Sequence, residues 1–146
     1  MKTTRVTAFI AALLLGLPWF AQADVNADLI PPVVVSTFPQ AGATDVKPGP
    51  VQIRIRFSKK LNTGRMMITP VSRRVVFTMT EAPRIEPDEM TWVATITLKP
   101  NTTYGFWVNG ADRTDFKDSQ GIPAMPYQFV FRTLPLEPEH KTKNSK

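Results

Sequence analysis

Between positions 98 and 104 the chain reads Leu98-Lys99-Pro100-Asn101-Thr102-Thr103-Tyr104, and it then alternates through Tyr104, Phe106 and Val108. A leucine closes one apolar run, a Pro-Asn pair turns the chain, and a tyrosine opens the next run. A tyrosine placed this way predicts a corner between packed sheets, with the ring turned inward and the hydroxyl bonded to the crossover backbone. The prolines point the same way. There are 14 of them, and Pro31, Pro32, Pro39, Pro48, Pro50, Pro70, Pro83, Pro87 and Pro100 all fall between apolar runs. Proline cannot donate to a strand ladder, so it marks strand ends and turns. Long helices have little room in such a chain.

Period-two alternation predicts the strands. Val33 to Phe38 is a short β-branched opening strand. In Val51 to Phe57, Val51, Ile53, Ile55 and Phe57 face inward, and Gln52, Arg54 and Arg56 face outward. Met66 to Val71 and Arg74 to Thr80 are two further strands whose facing is ambiguous. Thr91 to Leu98 turns Trp92, Ala94, Ile96 and Leu98 inward. Thr103 to Val108 and Tyr127 to Thr133 do the same with Tyr104, Phe106 and Val108, and with Tyr127, Phe129 and Phe131. The fold class expected is all-β, an Ig-like antiparallel β-sandwich of about seven strands. Alternation this clean implies antiparallel sheets, each with one wet face.

The ends of the chain set its expected compartment. Lys2 and Arg5 precede an apolar stretch from Val6 to Phe20, and Ala21-Gln22-Ala23 supplies the small residues of a signal-peptidase site. The stretch is shorter than the ~20 residues that span a bilayer. A cleaved signal at 1–23 is therefore expected, with no transmembrane segment afterwards and export to the periplasm or beyond the cell. The expected order continues with a linker at 24–31, the Ig-like domain at 32–134 and a disordered tail at 135–146, rich in proline and charge. Leu134-Pro135-Leu136-Glu137-Pro138 lacks the Thr-Gly pair and apolar tail of a sortase signal. No cysteine occurs, which excludes a lipid-anchored lipoprotein, a disulfide framework and a thiolate metal site.

Five segments, in order along the chain, resemble those of the SbsA-type bacterial Ig-like domain of S-layer and other exported bacterial proteins. They are the turn Pro39-Gln40-Ala41-Gly42-Ala43-Thr44-Asp45-Val46; the strand end Ile55-Arg56-Phe57-Ser58-Lys59; the crossover Leu98 to Tyr104; the turn Asp118-Ser119-Gln120-Gly121; and the last strand Phe129-Val130-Phe131-Arg132-Thr133. Ile122 stands where asparagine often follows in the family. The resemblance runs from about Pro32 to Thr133 and implies a spacer or adhesive module of the cell envelope.

Catalytic chemistry finds little footing, and no catalytic residue or cofactor is assigned. There is no Gly-x-Ser-x-Gly elbow and no cysteine, and His140, in the tail, is the only histidine. Carboxylates cluster from Glu81 to Glu89 and from Asp112 to Asp118. A small carboxylate-dependent hydrolase is an alternative, but solvated turns explain both clusters. The alternative that ranks before it is a metal-binding (calcium or copper) β-sandwich. Asp112, Asp115 and Asp118 recur every third residue, which is not the ligand spacing of an EF-hand. Asp118 and Gly121 are expected to form a turn. Copper(II) calls for imidazole, and adjacent Met66 and Met67 would point to opposite faces of a strand. No metal site is assigned.

The net charge is +6. Arg54, Arg56, Lys59, Lys60, Arg65, Arg73 and Arg74 spread over strands and a loop. Arg54, Arg56, Arg73 and Arg74 are the candidate face for an anionic ligand, a surface glycan first. No aromatic platform interleaves these charges, so nucleic acid is not expected. Alternation turns Trp107, Val130 and Arg132 outward on two neighbouring strands. They form the candidate surface for another envelope protein, because tryptophan and arginine are enriched at binding hot spots.

Overall fold

The long alternating runs 49–57 and 91–98 pair directly with each other, and the fold is built out from that pair. In this computed structural model, which describes residues 25–73, 75, 77–110 and 113–137, they are strands β2 (Gly49–Phe57) and β6 (Thr91–Leu98). The expected signal at 1–23, together with Arg74, Asp112 and His140, lies outside the described residues. Their antiparallel register sets Val51 opposite Ile96, Ile53 opposite Ala94 and Ile55 opposite Trp92, so both apolar sets share one face.

The remaining strands are β1 (Val34–Phe38), β3 (Thr69–Pro70), β4 (Thr78–Met79), β5 (Arg84–Ile85), β7 (Thr103–Val108) and β8 (Tyr127–Arg132). One sheet runs β1-β2-β6, with β4 and β5 both pairing with the far edge of β6. The second runs β3-β7-β8 and is also antiparallel. A single turn of 3-10 helix, Ala27–Leu29, precedes them, capped by Asn26 Oδ1 accepting from the Asp28 N–H.

The core fills the space between the sheets. Ile53, Ile55, Phe57, Trp92 and Ile96 of the first sheet meet Tyr104, Phe106, Val108, Phe129 and Phe131 of the second, all essentially without solvent exposure. Their rings pack closely, with Tyr104 and Phe131 stacked at 5.6 Å between centroids. Phe116 closes one end, stacked on Phe57 at 5.4 Å and edge-on to Trp92 at 5.6 Å.

The corner forms at the crossover between the sheets. The Lys99 N–H donates to Tyr104 Oη at 2.7 Å. Thr133 grips the same turn from the other side: its hydroxyl donates to the Lys99 carbonyl at 2.7 Å and accepts from the Thr102 N–H at 2.9 Å. Asn101 takes a φ of +48°, a left-handed conformation that asparagine tolerates better than most residues.

Two expected strands shrink. Among the described residues, the strand within Met66 to Val71 is Thr69–Pro70 and the strand within Arg74 to Thr80 is Thr78–Met79. Pro70 has no N–H to extend its ladder. Arg84–Ile85 adds a pairing that the sequence reading did not include. Because β4 and β5 follow one another along the same edge of β6, they act as one interrupted edge strand. The outer edge of β8 is not left bare. The Gly42 N–H donates to the Val130 carbonyl and the Arg132 N–H to the Ala43 carbonyl, and a parallel bridge joins Val46 to Thr133. Covering an edge in this way blocks unwanted strand pairing.

Candidate functional surface

The outer face of the second sheet carries the expected partner residues. Register sets Trp107 beside Gln128 and Thr69, Gly105 beside Val130, and Thr103 beside Arg132. Trp107, Val130 and Arg132 thus lie on one face of adjacent strands. Val130 is 40% exposed and Trp107 half-buried. Gly110 packs over the indole, where a Cβ would sit 4.0 Å from Cγ. Arg132 donates from Nη2 to Asn101 Oδ1 at 2.8 Å.

Sequence alternation missed a fourth member, Val71. It follows β3 and is 43% exposed, and its N–H donates to the Gly105 carbonyl at 2.9 Å. Because Gly105 has no side chain, Val71 and Val130 close over its backbone. A Cβ there would lie only 3.3 Å from Val71 and 3.4 Å from Val130. The glycine therefore makes an apolar ridge of two valines beside the tryptophan. Neither its place opposite Val130 nor Val71 was part of the sequence expectation: cross-strand register is not local, and β3 is too short to announce its facing.

Two residues of the candidate anionic-ligand face, Arg54 and Arg56, are ion-paired. Arg54 makes a bidentate pair with Glu86, at 2.8 Å to Oε1 and 2.5 Å to Oε2. Arg56 donates to Asp88 Oδ2 at 2.8 Å, and Lys60 to Glu89 Oε2 at 2.5 Å. The acidic loop between β5 and β6 therefore offsets these cations. The register explains how: Arg54 and Arg84 flank Val93 across β6, and the Arg54–Glu86 pair spans the strand above it. Val93 is wholly buried despite lying on the outer face. Arg73 follows β3 in the other sheet and does not join Arg54 and Arg56.

Asp88 is the most engaged of these acids. Oδ1 accepts from the Met90 and Thr91 N–H groups, each at 2.9 Å, and Oδ2 from the Thr91 hydroxyl at 2.6 Å. These bonds, led by the Thr91 hydroxyl, hold its carboxyl below the usual 3.8. Lys60 is shifted up from 10.5 by its hydrogen bond and charge pairing with Glu89.

The carboxylates weighed as metal ligands have separate duties. Asp118 is 3% exposed, and its Oδ1 accepts from the Gln120 N–H at 3.0 Å and the Ile122 N–H at 2.9 Å. Gly121, at φ +85°, completes that turn. Lys59 Nζ lies 3.7 Å from Asp118 Oδ2. Asp115 pairs with Arg113 at 3.0 Å. Among the described residues no group of three or more histidine, cysteine or acidic side chains is placed to hold a metal ion. Met66 is buried and Met67 half-buried.

One organising residue escaped the sequence reading. Asn109 is 4% exposed at φ +51°. Its amide donates to the Phe116 carbonyl at 2.9 Å and the Ala124 carbonyl at 2.8 Å, and its Oδ1 accepts from the Phe116 N–H at 2.9 Å. It pins the long loop between β7 and β8 to the core. The Asn109-Gly110 pair directly after an alternating strand was the available signal.

Two antiparallel sheets packed over an aromatic core, with a tyrosine bonded to the crossover, define an Ig-like β-sandwich. The chain belongs to the bacterial Ig-like domain family, whose model matches residues 28–133. No curated protein sequence matches it. Among solved structures it is similar to CopC from Methylosinus trichosporium OB3b, with a TM-score of 0.56 and 15% identity over 73% of this chain and 97% of that chain. At that identity the likeness concerns the fold alone. Among the described residues no helix is long and apolar enough to cross a membrane.

Proposed function

We propose that this protein is an exported, non-enzymatic module of SbsA type, and that it binds another protein of the cell envelope through the outer face of its β3-β7-β8 sheet. The observation that carries the reading is the ridge of Val71 and Val130 closed over Gly105, beside Trp107 and Arg132. An outward sheet face is ordinarily polar. Here exposed valines, an indole and a guanidinium occupy it, the composition of an interface centre. On the other sheet the basic residues Arg54 and Arg56 are engaged with Glu86 and Asp88, which favours the valine ridge over an anionic glycan as the recognition element.

A photocrosslinking residue at Gln128, exposed on this face, tests the reading in intact cells. It should trap one discrete envelope protein, and the product should disappear when Val130→Asp is added. The same label at Thr97, on the outer face of the first sheet, should trap nothing comparable. Equal products from both positions, or trapping that survives Val130→Asp in a normally folded protein, would refute the assignment.

A further inference from the structure

Where the two sheets part along their β3 and β4–β5 edges, a cleft of about 700 Å³ opens. Trp92 and Met66, both almost fully buried, reach its floor, and Met67, Met79 and Ile85 form its walls. The cleft follows from the interrupted edge strand. The Thr80 N–H still donates to the Thr95 carbonyl, and pairing with β6 resumes only at Arg84. Between them Glu81, Ala82 and Pro83 leave the ladder, and proline has no N–H to give it.

The lining has two parts of different chemistry. Three methionines, an isoleucine and an indole form the apolar part. Thioether side chains are flexible and polarisable, and they adapt to chains of irregular shape. The size lies within the range of small-ligand sites, about 300–1,000 Å³. The rim is charged. Arg65 is exposed, with no carboxylate in ion-pair range among the described residues. Arg84 stands 3.8 Å from Glu81, whose Oε2 also accepts from the Thr95 hydroxyl at 3.1 Å. Arg84 and Glu81 offset each other, so Arg65 supplies the net positive charge at the rim of an apolar trough.

We propose that this cleft binds an anionic amphiphile: a single long-chain carboxylate with its aliphatic chain along Met67, Met79 and Trp92 and its head at Arg65. Charge complementarity selects the head group, since a guanidinium matches a carboxylate in geometry and sign. The apolar walls select an alkyl chain. The site uses none of the residues of the Trp107 face, so each assignment can fail without the other.

Titration of the full chain with dodecanoate below its micellar concentration, read by calorimetry and by tryptophan fluorescence, tests the proposal. Saturable one-site binding is expected, with dodecyltrimethylammonium at least about tenfold weaker, the scale of one or two surface charge pairs. Arg65→Glu should weaken dodecanoate by about tenfold while melting like the parent, because Arg65 is exposed. Met67→Asp should abolish binding while near-UV circular dichroism stays native. The proposal is overturned by absent saturation, by equal binding of the two amphiphiles, or by unchanged affinity in either variant. It is equally overturned if silver(I) binds and dodecanoate does not, which would assign the thioethers to a soft metal.

Discussion

Removing one oxygen atom from the corner tests the central packing argument. Tyr104 is wholly buried, and its Oη accepts from the Lys99 N–H at 2.7 Å. Tyr104→Phe keeps the ring and its stacking on Phe131 but leaves the Lys99 N–H without its partner. A hydrogen bond contributes about 0.5–1.5 kcal/mol net, and a stranded, partly buried donor raises the loss, so about 1–2 kcal/mol is expected. With a typical urea slope for a small domain, the midpoint should fall by roughly 0.5–1 M with no change in slope. Thr133→Val removes the grip on the other side of Lys99, and its cost should be similar. The two hydroxyls hold one residue, so the double variant should depart from additivity by about 0.5 kcal/mol or more. Equilibrium urea melts of all four proteins provide the cycle. An unchanged midpoint in Tyr104→Phe would mean that the hydroxyl is satisfied by water and that the corner does not hold the crossover.

Asn109→Ala removes three buried hydrogen bonds at once and places alanine at positive φ. A loss of about 3–5 kcal/mol is expected in urea melts, with faster proteolysis between residues 110 and 126. For Asp88 the folded carboxyl titrates below its ordinary 3.8. Its contribution is therefore fully present above that value and is lost as pH falls through the lower folded pKa. The melting difference between the parent and Asp88→Asn should be constant from pH 7 to about 5 and shrink as pH falls below 3.8. Melting midpoints of the full chain should be the same with EDTA, calcium or copper(II), since a ligand bound only to the folded state must raise them. A calcium-dependent rise abolished by Asp115→Ala would reverse the turn assignment of the Asp112 to Asp118 loop.

How far the sequence reaches is clearest by comparing its strong and weak signals. Runs such as 91–98 and 103–108 have an apolar residue at every second position, and each appears as a strand with those bounds. The runs at 66–71 and 74–80 mix facing signals, and among their described residues the strands are Thr69–Pro70 and Thr78–Met79. Alternation along one strand also sets which side chains point outward, so Trp107, Val130 and Arg132 were legible as a set. Their neighbour Val71 was not, because its position depends on a two-residue strand docking on β7.

The sandwich class, the corner tyrosine, the inward aromatic sets and the turn at Asp118 and Gly121 were all legible in the chain. Each of these depends on local pattern: a period of two, a turn residue, a tyrosine at a strand start. Which charges survive and where the surface opens depend instead on the packing of distant segments. Arg54 and Glu86 are 32 residues apart, and only the pairing of β2 and β5 with β6 brings them together. The same long-range register joins Val71 to Val130 over Gly105, pins Asn109 to Ala124, and parts the edges around Met67 and Met79. Such contacts are set by how strands from distant parts of the chain align, and no local window of sequence contains that alignment.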